Sequence, residues 1–481
     1  MRVLFATSEV VPLIKTGGLA DVSAALPAAL RERGIDVRLL LPGYPQVLKA
    51  LPHRQLIADL FPVHSFPAAR LFASWLPNGV PLFVIECAEL YERGGGAYQD
   101  ENGIDWPDNA LRFGMLSWVA AWMGSAGSTL DWKPDLVHCN DWQAGLAPAY
   151  LHFADDAAPC VMTVHNLAFQ GNFPSYMVAE LGLPIDCFQP DGVEFYGNLS
   201  FMKAGLYYAD HITTVSPSYA REIQTDPLGF GLQGLLAYRR EKVTGILNGI
   251  DVEGWNPATD SDLVQLYSLN DLSGKSANKC GLQKRMGLHV DPDLPLFALV
   301  SRFTHQKGVD LVLEIAPQLV NLPAQLVLLG NGDAGMQRAA LDLLHHFPGK
   351  IGVYIGFDEG LSHLIHGGAD IFLMPSRFEP CGLSQMHSQR YGVPPVVYAT
   401  GGLIDTVTDY NEVTCAQGLA SGFVFHSMDA ASLHATVKRA ATVYHDKKSW
   451  RALQHNCMIR DFSWNRSAAA YHDLYMNLIR P

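Results

Sequence analysis

The chain has 481 residues, is 48% hydrophobic and only 17% charged, which is more than one core holds and predicts two domains built on large buried α/β sheets. A net charge of −13 with no long basic run excludes nucleic acid and anionic membrane surfaces as partners. An anionic ligand would require cations gathered at one place, so clustered lysines and arginines carry weight.

Residues 3–6 read as a buried parallel strand. The segment Lys15-Thr16-Gly17-Gly18-Leu19-Ala20-Asp21 follows. Apolar residues at 19, 22, 26, 29 and 30 then mark one face of a helix over 19–33, and Gly34 ends it at the C′ position. Lys15 and two glycines therefore sit at a helix N-terminus, where unpaired N–H groups and partial positive charge favour a phosphate. A tight turn with a solvated lysine fits the same residues.

Further runs rich in Val, Ile and Leu predict strands at 37–41, 82–85, 136–139, 161–164 and 211–215, then at 296–300, 326–329, 352–355, 371–374 and 395–397. Helical stretches separate them, the pattern of doubly wound parallel sheets. The pattern lapses over 247–294. That predicts two Rossmann-like domains, over 1–247 and 248–460, and a terminal segment over 461–481. In this segment Ser463 can cap a helix whose apolar residues at 464, 468, 471, 475 and 478 form one stripe. Eight scattered cysteines without a CxxC pair give no zinc or redox motif, and as reduced core thiols they point to the cytoplasm. No leader pattern and no uncharged apolar run of bilayer length is expected.

Parallel sheets bind ligands beyond the carboxyl ends of their strands. The polar residues found there are Asn140-Asp141-Trp142-Gln143, His165-Asn166, Ser216-Pro217, Arg302 and Lys307 in the 301–308 loop, Glu379 in the 375–382 loop, and Thr400-Gly401-Gly402. Each has an ordinary reading: a core histidine, a helix-capping Asp141, solvated Arg302 and Lys307, a Glu379–Arg377 pair, a turn at Gly401-Gly402. Their shared position supports the functional reading, in which they ring one cleft with Lys15. Lys15, Arg302 and Lys307 together complement a diphosphate. Gly330-Asn331-Gly332-Asp333-Ala334-Gly335 is a rival signal, since it fits the GxGxxG fingerprint of an NAD-dependent dehydrogenase. It follows the second strand of its domain rather than the first, and leaves the 302–307 loop unexplained.

The 15–22 block, Lys15-Thr16-Gly17-Gly18-Leu19-Ala20-Asp21-Val22, resembles the N-terminal signature of bacterial glycogen synthases and plant starch synthases. The likeness continues in family order through His138-Cys139-Asn140-Asp141-Trp142-Gln143, Thr163-Val164-His165-Asn166-Leu167, Phe201-Met202-Lys203-Ala204-Gly205, Leu247-Asn248-Gly249-Ile250-Asp251, Ser301-Arg302-Phe303-Thr304-His305-Gln306-Lys307-Gly308, and most specifically Pro375-Ser376-Arg377-Phe378-Glu379-Pro380-Cys381-Gly382-Leu383. The resemblance implies a GT-B fold, with two Rossmann-like doubly wound domains facing a central cleft and a final helix crossing back to the first domain. It implies a cytoplasmic glycosyltransferase that moves glucose from ADP-glucose, with retention and without metal or other cofactor, to the non-reducing end of an α-1,4-glucan, elongating glycogen. It further implies that Lys15 and the Gly17 and Gly18 amides hold the donor phosphates, that Arg302 and Lys307 neutralise the leaving diphosphate, and that Glu379 binds donor sugar hydroxyls. His165 would sit beside the transferring glucose, and Asp21 and Asp141 near sugar and acceptor. Asn248, Cys381, Gly382, Leu383, Thr400, Gly401 and Gly402 complete the implied substrate-binding set.

The chain departs from the family at His387, where Tyr or Glu is usual, at Val393, where Thr or Ser is usual, and at Tyr398-Ala399, where an arginine often precedes Thr400. These departures leave room for a second reading, a catalytically weakened paralogue that binds glucan or partners.

Overall fold

The computed structural model describes residues 1–479, which form two compact units divided at 249/250 and again at 463/464. The first unit contains β1 (Arg2–Ala6), β2 (Asp36–Pro42), β3 (Gln55–Leu60), β4 (Ala69–Trp75), β5 (Pro81–Glu86), β6 (Leu136–Asn140), β7 (Cys160–Val164), β8 (Asn172–Pro174), β9 (Glu194–Phe195), β10 (Asn198–Ser200), β11 (His211–Thr214) and β12 (Val243–Gly245). Nine of them form one sheet in the order β12-β11-β7-β6-β1-β2-β5-β4-β3, parallel except that β4 runs antiparallel to both β5 and β3. The remaining three form a small antiparallel sheet.

The hydrophobic runs explain the main sheet. Val3, Leu4, Phe5 and Ala6 of β1 are fully buried between parallel neighbours. Helix Gly18–Glu32 buries Leu19, Val22, Leu26, Ala29 and Leu30 as one stripe, and Gly34 follows it at φ +83°, the left-handed conformation that glycine adopts without steric cost. Each strand expected from the sequence forms within one residue of its expected ends. The β3–β4 hairpin, the small sheet, β12 and the later strand Phe423–Phe425 carried too weak a signal: three of the six residues of β3 are exposed, and β8–β10 are two or three residues long.

The second unit contains β13 (Leu296–Val300), β14 (Gln325–Gly330), β15 (Ile351–Ile355), β16 (Ile371–Met374), β17 (Pro395–Tyr398) and β18 (Phe423–Phe425), all parallel, in the order β15-β14-β13-β16-β17-β18. Successive residues feed two separate cores. Phe297, Leu299, Leu326 and Leu328 belong to one, and Leu296, Ala298, Val327 and Leu329 to the other, so helices cover both faces.

Helix Trp464–Ile479 belongs to the first unit, packs on helix Gly18–Glu32, and buries Trp464, Ala468, Tyr471 and Tyr475. Its start differs from expectation. Ser463 Oγ is buried and has no hydrogen-bond partner among the described residues, so it caps nothing; the Asp461 carboxylate instead accepts the Ser463 N–H at 2.8 Å in a local turn. Inside the unit, Tyr475 OH meets His138 Nδ1 at 2.6 Å, and His138 Nε2 meets Thr163 Oγ1 at 2.5 Å. Burial pushes the His138 pKa down to about 3, so the imidazole is neutral and depends on both contacts. Replacing Tyr475 by Phe leaves a buried ring nitrogen unpaired, a loss of about 1–3 kcal/mol. Urea unfolding should show a lower midpoint for Tyr475→Phe; an unchanged midpoint would mean that the helix is held by its apolar face alone.

Candidate functional site

In the second unit, the loops after β13 and β16 bring Arg302, Lys307 and Glu379 to the carboxyl edge of the sheet. Lys307 Nζ lies 2.5 Å from Glu379 Oε2, which also accepts Ser376 Oγ at 2.9 Å. Glu379 is 6% exposed and Lys307 half-buried, so the carboxylate is buried and the ammonium partly open to solvent. The expected Glu379–Arg377 pair does not form. Arg377 is held by both oxygens of Asp310, at 2.7 and 2.6 Å, and by the carbonyl of His305, because a planar guanidinium fits a carboxylate side-on. Arg302 is exposed, and its guanidinium makes no hydrogen bond or ion pair among the described residues. A cavity of about 80 Å³ opens here, lined by Ser301, Lys307, Met374, Ser376 and Ser384.

The glycines of this unit serve the protein itself. Gly401 has φ +43°, and a Cβ there would lie 2.0 Å from the Glu379 carbonyl; one on Gly402 would lie 2.2 Å from that of Cys381. The Gly402 N–H donates to Glu379 O at 3.0 Å. Thus Thr400, Gly401 and Gly402, which open helix Gly401–Thr406, fix the buried loop of Glu379 and Cys381. Gly382, at φ +72°, turns the chain into Leu383, the N-cap of helix Ser384–Arg390. The rival GxGxxG glycines are filled as well. A Cβ on Gly330 would meet Ser301 O at 1.8 Å, and one on Gly332 would meet Phe303 O at 2.4 Å, so the 301–303 backbone occupies the face that a dinucleotide would need. Tyr354 of β15 and Phe357, two residues after that strand, are exposed, and nothing in the sequence pattern singled them out.

In the first unit, Asp141 and His165 follow β6 and β7. Asp141 adopts φ +53°, which costs a non-glycine residue about 1 kcal/mol or more. The bend lets one carboxylate oxygen accept the N–H groups of His165 at 2.7 Å and of Asn166 at 3.3 Å. It does not cap the helical turn after it, as one reading expected. Burial pushes its pKa up to about 7. His165 Nε2 lies 3.0 Å from Asn140 Oδ1, and Asn140 Nδ2 donates to Ala6 O at 3.1 Å. That second bond orients the amide, so His165 carries its proton on Nε2 and offers Nδ1 as an acceptor. Burial holds its pKa down at about 3, hence neutral. Asn248 Oδ1 is buried and has no partner among the described residues.

The 15–18 loop is exposed, and Lys15 pairs with Asp21 at 2.8 Å. A Cβ on Gly17 or Gly18 would meet no protein atom within 4 Å, and neither has a positive φ, so packing and backbone conformation leave these glycines unexplained. One expectation needs revision: the Gly17 N–H is given, at 3.1 Å, to Glu9 Oε2, together with that of Thr16. Thr7-Ser8-Glu9 directly follows β1, so the rule of strand carboxyl ends could have found Glu9; a lone glutamate in a turn carried no motif.

Asp260, Asp262 and His363 lie at metal-ligand spacing, but Asp260 Oδ2 is taken by His363 Nδ1 and the Tyr391 hydroxyl, and no candidate residue is among them. The departures have structural roles. His387 and His363 each stack on Trp255 with ring centres 3.9 Å apart, Val393 is fully buried, and Tyr398 packs on Phe425. A cavity of about 610 Å³ in the first unit, between Glu194, Tyr207 and Tyr238, contains none of the candidate residues.

The sequence profile of the starch synthase catalytic domain matches residues 2–238, and that of the glycosyl transferases group 1 matches residues 283–454. The chain is 58% identical to the glycogen synthase of Nitrosomonas eutropha, across 100% of this chain and 97% of that protein. It is 56% identical to the glycogen synthase of Nitrosospira multiformis, with the same coverage. The catalytic domain of starch synthase IV from Arabidopsis thaliana, solved bound to ADP and acarbose, superposes with a TM-score of 0.86 at 32% identity over 99% of both chains. Sucrose-phosphate synthase from Thermosynechococcus elongatus, at 17% identity and a TM-score of 0.60 over 99% of this chain and 98% of that one, shares the fold alone. With both profiles in chain order and relatives above half identity along its whole length, the chain belongs to the glycogen and starch synthase family of GT-B glycosyltransferases.

Proposed function

We propose that the chain transfers glucose from ADP-glucose, with retention of configuration, to the non-reducing end of an α-1,4-glucan and so elongates glycogen. The observation that carries this reading is Arg302, exposed and without an ion-pair partner among the described residues, in the same loop as the Lys307 that pairs with buried Glu379 at the carboxyl ends of β13 and β16. The ADP and acarbose of the Arabidopsis structure support a nucleoside diphosphate donor and a glucan acceptor.

The leaving diphosphate gains negative charge as the glycosidic bond breaks, so fixed cations stabilise the transition state more than the ground state. Arg302 and Lys307 supply that charge, and Glu379 presents its oxygens to sugar hydroxyls. In the first unit, neutral His165 offers Nδ1 to a hydroxyl without adding charge, Asp141 and Asn248 offer further acceptors, and Lys15 with the open faces of Gly17 and Gly18 serves the phosphates. Asp21 orients Lys15. The backbone and side chains of Cys381, Gly382, Leu383 and the 400–402 turn shape the donor pocket around Glu379. In this reading the cations do the work that a metal would do, no cofactor takes part, and the reaction belongs in the cytoplasm with neither nucleic acid nor membrane as partner. No described helix is long and apolar enough to cross a membrane.

Radiolabelled glucose should pass from ADP-glucose to glycogen in preference to UDP-glucose, at a rate unaffected by EDTA. Transfer that stops in EDTA and returns with magnesium would contradict the charge assignment, and glycogen binding without transfer from either donor would favour the weakened paralogue.

Arg302→Ala should lower kcat about a hundredfold, the equivalent of about 3 kcal/mol, with glycogen affinity unchanged. Lys307→Ala should differ, because it strands the buried Glu379 carboxylate and lowers the melting temperature as well. Equal kcat in Arg302→Ala and the parent would return Arg302 to a solvated loop charge.

Glycine replacements should separate ligand space from packing. Gly17→Ala should keep the parent's melting temperature and raise the KM for ADP-glucose, whereas Gly402→Ala should destabilise the fold by about 1–3 kcal/mol. Calorimetric melting and initial rates check both; a Gly17→Ala protein with parental KM would mean that nothing approaches that face.

Asp141 titrates near 7 in the fold against a reference value of 3.8, so its burial costs stability that is absent below pH 3.8 and grows as pH rises to 7. Asp141→Asn should therefore gain on the order of 1–3 kcal/mol over the parent at pH 8, and less at pH 5, while transfer falls. Urea unfolding at both pH values reads this difference, and a gain that did not shrink at pH 5 would contradict it.

A further inference from the structure

We propose that Glu9 is a positioning residue for the transfer: its buried carboxylate is the internal anion on which the 15–18 loop is folded, and Tyr98 aims it. The proposal rests on the reading that this loop serves the donor phosphates. Glu9 is 3% exposed. One carboxylate oxygen accepts the N–H groups of Thr16 and Gly17. The other accepts the hydroxyl of Tyr98, which also lies 2.8 Å from Ser8 Oγ. The main chain at Glu9 is fixed in turn, since Thr7 Oγ1 lies 3.0 Å from Glu9 O and 2.8 Å from Ser23 Oγ on helix Gly18–Glu32. One side chain therefore ties the end of β1, the glycine loop and the 92–108 loop together.

Gly17 is the N-cap of that helix, the place where a phosphate would be expected to sit. The protein's own anion already takes the Thr16 and Gly17 N–H groups there. A donor phosphate must either displace Glu9 or bind around it. Displacement would expel a nearly inaccessible carboxylate from three donors. Binding around it leaves Lys15 and the open faces of Gly17 and Gly18, with the loop held behind them by Glu9. Glu9 also offsets the positive end of the helix, so phosphate affinity comes from Lys15 and loop shape rather than from a bare helix terminus. Asp21 on the helix, Asp141 after β6, and Tyr44 and Tyr98 face Glu9, and burial among these groups raises its pKa. The Thr16 and Gly17 amides and the Tyr98 hydroxyl oppose that rise.

The test uses Glu9→Ala, Glu9→Gln and Tyr98→Phe in the full chain, with kcat, the KM values for ADP-glucose and glycogen, and ADP affinity by calorimetry. Glu9→Ala should lose about tenfold or more in kcat and bind ADP about threefold more weakly, with the glycogen KM within about twofold of the parent. Glu9→Gln keeps an oxygen for the two amides and should recover at least about a third of the parental kcat. Tyr98→Phe should stay folded with a lowered melting temperature, since the buried carboxylate loses a donor, and should lose about two- to fivefold in kcat at the parental glycogen KM; it decides the matter if Glu9→Ala does not fold. Tighter ADP binding by Glu9→Ala would make Glu9 a competitor of phosphate and overturn the proposal, as would parental kcat in Glu9→Ala or, should that variant not fold, in Tyr98→Phe. Failure of the functional reading would show separately, as a parent protein that transfers no glucose from ADP-glucose.

Discussion

Three carboxylates are buried at the carboxyl ends of parallel strands, and the candidate site is organised by what it takes to keep them there. Glu9 follows β1, Asp141 follows β6 and Glu379 follows β16, and none is more than 8% exposed. A carboxylate taken out of water costs several kcal/mol unless donors surround it. Each therefore recruits a loop: Glu9 the glycine loop and Tyr98, Asp141 the chain after β7, Glu379 the lysine of the 302–307 loop and Ser376. Removing one of these carboxylates would leave its loop without the acceptor that holds it.

The parallel sheets make this arrangement possible. Every loop that follows a strand emerges at the same edge, so residues far apart in sequence, such as Lys307 and Glu379, become neighbours without further design. The same geometry lets an acidic chain present cations locally. Lys15 is paired with Asp21 and Lys307 with Glu379, while Arg302 is exposed and has no ion-pair partner among the described residues.

Much of this was legible in the sequence, for identifiable reasons. Buried parallel strands are unbroken runs of Val, Ile and Leu, so β1 and β13 announce themselves, and long motifs in family order pointed to the family and to a set of candidate residues. Pairing was less legible, because it depends on tertiary neighbours. Arg377 is two residues from Glu379, yet Asp310 holds it side-on and Lys307 takes the glutamate. Gly330 and Gly332 spell a dinucleotide loop, yet the 301–303 backbone fills their faces, while Gly17 and Gly18 spell an ordinary turn and face open space. Ser463 stands where a cap belongs, but Asp461 turns the chain first. Glu9 carries no motif at all and becomes visible only when the amides of Thr16 and Gly17 are traced to their acceptor.

The central claim is that fixed cations of the second unit neutralise the departing diphosphate. A crystal structure of the protein with ADP bound tests it most directly. The account predicts diphosphate oxygens within hydrogen-bond distance, about 2.7–3.2 Å, of the Arg302 guanidinium and of Lys307 Nζ, with no metal ion bridging the phosphates. A diphosphate coordinated by a metal ion, with Arg302 left in solvent, would contradict it.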